Sequence, residues 1–194
     1  MPWTTPITWV NGTVSAASMN TEIRDHVNYF KAALDNTGIT SDVGMPQVTS
    51  AACGARVARL SSQVIAHVSD TPLLYDFERF DSDGFHDLTT NTSRLTIPAD
   101  KAGYYIVGAH TGWQGNATGQ RRTRLRLNGT TWIATVMLDS ITTADMLVSV
   151  NTFWKFVVGD YVESVVYQAS GGNLSVQATA PDYSDFYIHR IAAS

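Results

Sequence analysis

The chain has 194 residues, a formal net charge of −4 and only 15% charged side chains. The length suits one domain with an extension, and the charge gives no electrostatic ground for binding nucleic acid. One cysteine, Cys53, excludes an intramolecular disulfide and any multi-cysteine metal site. The opening residues, MPWTTPITWV, lack a basic stretch followed by an apolar run, so no secretory signal is expected. No run approaches the roughly 18 apolar residues of a membrane span, and the composition predicts a soluble protein that inserts in no membrane.

Residues 1–14 read as an extended arm. Pro2 and Pro6 discourage helix, and Trp3 and Trp9 are large apolar groups on a segment too short for a core of its own. They either fold back on the main domain or anchor the arm to another protein. Ser15 is an N-cap residue type. After it, Met19, Ile23, Val27, Phe30 and Leu34 recur at spacings of four and three, which predicts a helix over 15–35 with one apolar stripe. Such a helix is marginal alone. It needs the domain, copies of itself or another protein to cover the stripe. Asn36, Gly38, Gly44 and Pro46 mark residues 36–53 as a linker.

From Gly54 onward strands dominate. Val64, Ala66 and Val68 alternate with Ile65 and His67, Leu73 to Phe80 forms a second strand, and Asp81-Ser82-Asp83-Gly84 turns. Leu95 and Ile97 alternate with Arg94 and Thr96 up to Pro98. Tyr104 to Trp113 follows, apolar on both faces. Arg122, Arg124 and Arg126 share one face of the next strand, and Asn128-Gly129 is a strong hairpin signal. Further strands run over 132–138, 146–157, 161–168, 174–178 and 186–191. About ten short strands with Gly-rich turns predict a mainly β sandwich or jelly roll. Three of these strands, 104–113, 161–168 and 186–191, are apolar on both faces, and a two-faced strand wants burial on two sides. If they lie in one sheet, its outer face is an aromatic-rich patch of the kind that marks an interface.

The run from YDFERFDSDGFHD through RLTIPADKAGYYIVGAH to VVGDYVESVVYQASGGNLSV resembles the C1q/TNF-like jelly roll, over residues 54–194. The P-x-x-x-x-G-Y-Y element and the G-D-Y-V strand with its S-G-G turn carry the likeness. The resemblance implies a C1q/TNF-like antiparallel sandwich and a homotrimer whose inner sheets meet around a threefold axis. It places Tyr104, Ile106, Tyr161, Val165, Tyr167 and Tyr187 at the trimer interface. The segment W-V-N-G-x-V-S-A-A-x-M-N-T-E-I-R-D-H is similar to the N-termini of tailed-bacteriophage structural proteins, through Trp9, Gly12, Ala17, Asn20, Arg24 and Asp25. This second resemblance implies that residues 1–35 anchor the chain to phage capsid or tail proteins, with Trp3, Trp9, Met19, Ile23, Val27 and Phe30 as the contacts.

Catalysis has little support. Glu78, Asp81, Asp83 and Asp87 are the one dense carboxylate group, but neither a cleft nor the separated acidities of an acid–base pair is visible. The D-x-D-G spacing lacks the further ligands of a calcium loop and reads as an Asp-rich turn. His26, His67, His86, His110 and His189 are scattered, and Ser61 and Ser62 have no G-x-S-x-G setting. The face of Arg122, Arg124 and Arg126 reads as paired with neighbouring acids, or as a contact for an acidic glycan or protein. The expectation is a non-enzymatic virion surface protein without cofactor, metal or nucleic-acid partner, assembled in the host cytoplasm as a trimeric decoration, spike or short fibre. The alternatives are a receptor-binding tip that takes a host-cell surface glycan through Trp113 and loops 114–120 and 139–145, and a glycan-processing enzyme on the same fold.

Overall fold

The computed structural model describes residues 53–141, 143–178 and 184–193. Within them the chain forms twelve strands: β1 (Gly54–Arg59), β2 (Gln63–Ile65), β3 (Thr71–Pro72), β4 (Phe77–Asp81), β5 (Arg94–Thr96), β6 (Gly103–Trp113), β7 (Gln120–Leu127), β8 (Thr131–Asp139), β9 (Met146–Phe156), β10 (Tyr161–Gln168), β11 (Leu174–Val176) and β12 (Ser184–Ala193). The arm, the helix over 15–35 and the anchor residues Trp3, Trp9, Met19, Ile23, Val27 and Phe30 lie outside the described residues.

The strands make two antiparallel sheets. The first has seven, in the order β2-β11-β6-β12-β1-β4 with β9 on the free side of β6; the second has five, in the order β3-β10-β7-β8 with β5 also on β10. The crossings between sheets make this a jelly-roll sandwich. Its period-2 patterns fix which residues meet. In β6, Tyr105, Val107, Ala109 and Trp113 are buried between the sheets. They face Leu95, Leu125, Val162 and Val166 of the second sheet in one core. Tyr105 is gripped edge-on by Phe85 at 6.1 Å and Phe156 at 5.7 Å, and Tyr75 stacks on Phe186 at 5.5 Å. Such ring geometries add to simple area burial.

Three expectations change. First, Gly54–Arg59 is a strand, because Val57 packs inward while Arg56 lies opposite Tyr187 on the other face. Second, only Phe77–Phe80 of the predicted 73–80 strand lies in a strand, β4, and residues 73–76 before it are a crossing. The N–H of Leu73 bonds Ser164 in the second sheet, and that of Asp76 bonds Ala58 in the first. Leu73 and Tyr75 are core residues as the chain passes between layers. Likewise only Gln63–Ile65 of the predicted 64–68 strand pairs, since Val68 has a φ of 56°.

Third, the two-faced strands do not share a sheet. β6 and β12 are neighbours in the first, but β10 lies in the second. Tyr161, Val165 and Tyr167 are therefore on the opposite side of the sandwich from Tyr104, Ile106 and Tyr187. The covering of β10 comes from its own chain. Val165 is fully buried beside Pro72 and Arg124. Guanidinium groups lie on the tyrosine rings, Arg94 over Tyr161 at 3.9 Å and Arg122 over Tyr167 at 4.3 Å. An apolar stripe can mean an arginine cover as well as a partner chain.

Candidate functional site

The outward face of the first sheet carries several large apolar side chains that the described residues leave uncovered. The register puts Tyr104, Ile106, Gly108 and His110 of β6 in one row, flanked by Lys155, Phe153, Asn151 and Ser149 of β9. On the other flank stand His189, Tyr187 and Asp185 of β12. Beyond them come Arg56 of β1 and Phe80 of β4. Phe153 is 70% exposed, Phe80 53%, Leu147 50% and Tyr104 49%. Side chains this apolar are rarely left in water together. Gly108 makes the face shallow at its centre, because a Cβ there would sit 2.6 Å from Tyr187 Cζ, so the ring lies across the glycine. Arg56, Phe80, His110, Tyr187 and His189 line a concavity of about 320 Å³, and Tyr104, Phe153, Trp154 and Lys155 line another of about 380 Å³.

Beneath the first concavity is a buried charge. The Asp185 side chain is 3% exposed and receives Arg56 Nε at 2.9 Å and Arg79 Nε at 3.1 Å, with His110 Nε2 at 3.6 Å. Burial alone pushes a carboxyl up. Here the His110 ring, the Arg56 hydrogen bonds and the charges of Arg56 and Arg79 outweigh it and hold Asp185 below the usual carboxylate range. Asp185, His110 and Ser149 also lie side by side across β12, β6 and β9, the residue types of a hydrolytic triad. The arrangement lacks its chemistry. Asp185 is committed to two arginines, and the N–H groups of β6 are taken up in ladders on both sides, so no backbone pair is free to hold an oxyanion.

The acidic group is a structural turn. Asp81 accepts the N–H groups of Asp83, Gly84, Phe85 and His86 at 3.2, 2.9, 3.0 and 2.8 Å. Asp83 pairs with Lys101 at 2.7 Å, Asp87 caps Thr89 and Thr90, and Glu78 meets buried His86 Nδ1 at 2.9 Å. Among the described residues no three His, Cys, Asp or Glu side chains converge as metal ligands. His67 accepts Gly171 N–H at 3.1 Å, and Ser61 donates to Asp76.

Residues 114–119 meet Ser140 and Asp145 at the end of the sandwich opposite Cys53. Asp145 accepts Gly115 N–H at 2.8 Å and Gln177 Nε2 at 3.1 Å, and Ser140 N–H donates to Gly119 at 2.9 Å. The buried Arg121 guanidinium donates to the carbonyls of Asn116, Thr118 and Gln120, all at 3.0 Å, and burial lowers its pKa. Trp113 is fully buried and offers no surface to a glycan. Of the six interface residues expected from sequence, the structure gathers Tyr104, Ile106 and Tyr187 on one face. Sequence reasoning missed Phe80, Leu147 and Phe153 there. The alternation over 146–157 held the signal for the last two.

No family model matches the chain and no curated protein matches it. Solved structures do. The globular domain of zebrafish complement 1qA aligns with a TM-score of 0.53 at 15% identity, covering 73% of this chain and 99% of that one. Murine APRIL aligns with TM-scores of 0.56 and 0.55 in crystals at pH 8.0 and 8.5, at 8% and 7% identity, covering 73% of this chain and all of that one. The domain is thus a C1q/TNF-like jelly roll, and at these identities the likeness defines the fold.

Proposed function

We propose that this protein is a non-enzymatic virion structural protein of a tailed bacteriophage, a homotrimeric surface decoration, spike or short fibre anchored by its N-terminal arm. The observation that carries the assembly is the exposed apolar face around Tyr104, Phe80 and Phe153. Beside it run two long edge strands: β8 pairs only with β7, and β9 only with β6, among the described residues. Long open edges invite pairing or cover. Face and edge are different surfaces of one chain, so a contact between them is heterologous, and it closes into a ring where its rotation divides the circle. Three copies in a ring agree with the homotrimer that the C1q/TNF-like resemblance implies. In this reading Tyr104, Ile106 and Tyr187 line the interface, with Phe80, Leu147 and Phe153 beside them.

The virion role rests on the likeness of residues 9–26 to phage structural proteins. Its test is the copy number of the protein on purified particles. Full-length protein incorporates, deletion of residues 1–35 abolishes incorporation, and Trp3→Ala with Trp9→Ala weakens it. Full occupancy by the truncated chain contradicts an anchor in the arm. A receptor-binding tip is the second reading, favoured by the loop 114–119 braced against Ser140 and Asp145, with Ile141 90% exposed beside them.

A further inference from the structure

The outward face of the second sheet carries an unusual concentration of arginine. In a chain with net charge −4 and thirteen Lys and Arg in all, four arginines share this one face: Arg94, Arg122, Arg124 and Arg126. The last three alternate along β7, so their spacing is about 6.8 Å. Their planes lie on aromatic rings, Arg124 over Trp132 at 3.8 Å, with Arg126 at 5.6 Å from the same ring, and Arg122 over Tyr167 at 4.3 Å. A guanidinium held flat on a ring is pre-organised and keeps its N–H edge for acceptors.

Three carboxylates stand on the same face. Glu163 takes Arg126 at 2.9 Å and Arg94 at 3.3 Å, Asp70 pairs with Arg124, and Asp139 lies at the end of the row opposite Gln120. Four cations therefore meet three anions. The Arg122 side chain makes no hydrogen bond to protein among the described residues; the Tyr167 ring is its neighbour. Trp132 and Met137, 41% and 50% exposed, add apolar surface along the row. The face belongs to the sheet opposite the proposed assembly face, and each chain of the trimer carries one copy of it.

We propose that this strip, with Arg122 as its open hook, docks an anionic polysaccharide bearing carboxylate or sulfate groups. The polymer runs along β7. Its charged groups take the open N–H edge of Arg122 in charge-assisted pairs, and its sugar faces lie on Trp132 and Met137. A flat, linear strip suits a repeating polymer better than the knobs of a folded acidic protein, which need a groove. Sites that are individually weak gain from three copies on one assembly.

The experiment measures binding of the full-length protein to immobilised polygalacturonate, dextran sulfate, uncharged dextran and double-stranded DNA. Light scattering on the same sample keeps oligomeric state separate, because the strip lies within one chain and a monomer retains it. The expected result is retention on both anionic polysaccharides, none on dextran, and about tenfold weaker binding at 200 than at 50 mM salt, as two released counter-ions per chain require. Arg122→Gln should weaken binding roughly tenfold while shifting the melting temperature by less than about 3 °C. The Arg122 side chain holds no hydrogen bond of the fold, so the variant folds. Absence of retention at 50 mM salt, undiminished binding by Arg122→Gln, or equal retention on DNA overturns the proposal. Capture of an acidic protein with no binding to either polysaccharide overturns it as well.

Discussion

Replacing Asp185 by Asn removes one negative charge and little volume. Arg56 and Arg79 then lose the carboxylate on which they converge, at a site where the acid is 3% exposed. Breaking a fully buried pair costs about 3–5 kcal/mol. The arginine side chains are 42% and 33% exposed and regain water, which lowers the cost to roughly 2–3 kcal/mol. For a domain of this size that is a fall of about 5–10 °C in melting temperature. The pH dependence gives a sharper reading. Asp185 is held below its ordinary value, so its stabilisation is complete above the unfolded-chain value of about 3.9. It is lost as pH falls through the folded value. Melting curves of wild type and Asp185→Asn should therefore stand apart at pH 7 and converge below about pH 4. A variant that melts within about 1 °C of wild type at pH 7 refutes the reasoning, and so does a gap that persists unchanged into strong acid.

Asp81→Ala strips the acceptor from four backbone N–H groups and should cost about 1–3 kcal/mol by chemical denaturation. Millimolar calcium should leave the wild-type melt unchanged, because the carboxylates of this turn are already taken by backbone and Lys101; a chelator-reversible rise of several degrees contradicts that. Gly108→Val drives a branched side chain into the Tyr187 ring and should destabilise by about 1–3 kcal/mol, with loss of assembly in light scattering.

The sandwich was legible because its strands keep a period of two wherever one face meets the core, as in Val148 and Val150 of β9. The sequence lost its period where the chain changes sheets. Leu73 and Tyr75 are both core residues, but they belong to a crossing and not to a strand. β10 shows a different limit. Tyr161 and Tyr167 read as an interface stripe because sequence records that they are apolar and not what covers them. The cover is Arg94 and Arg122, from two other strands. The spacing of Arg122, Arg124 and Arg126 was visible, but the rings beneath them were set by register between strands far apart in the chain. Asp185 likewise gave no sign in sequence, since its partners come from β1, β4 and β6.

In the proposed trimer the exposed face around Tyr104 and Phe153 joins copies of this chain. The most direct test is the mass of the purified protein in solution by light scattering from micromolar concentration downward. Stable interfaces bury more than about 1,000 Å², and the proposed trimer predicts three chains throughout the range. The pair Tyr104→Ser and Phe153→Glu alters two side chains that are 49% and 70% exposed in the single chain, so that protein should fold and report the mass of one. A wild-type protein that is a stable monomer at micromolar concentration contradicts the account, as does a trimer that survives the double substitution.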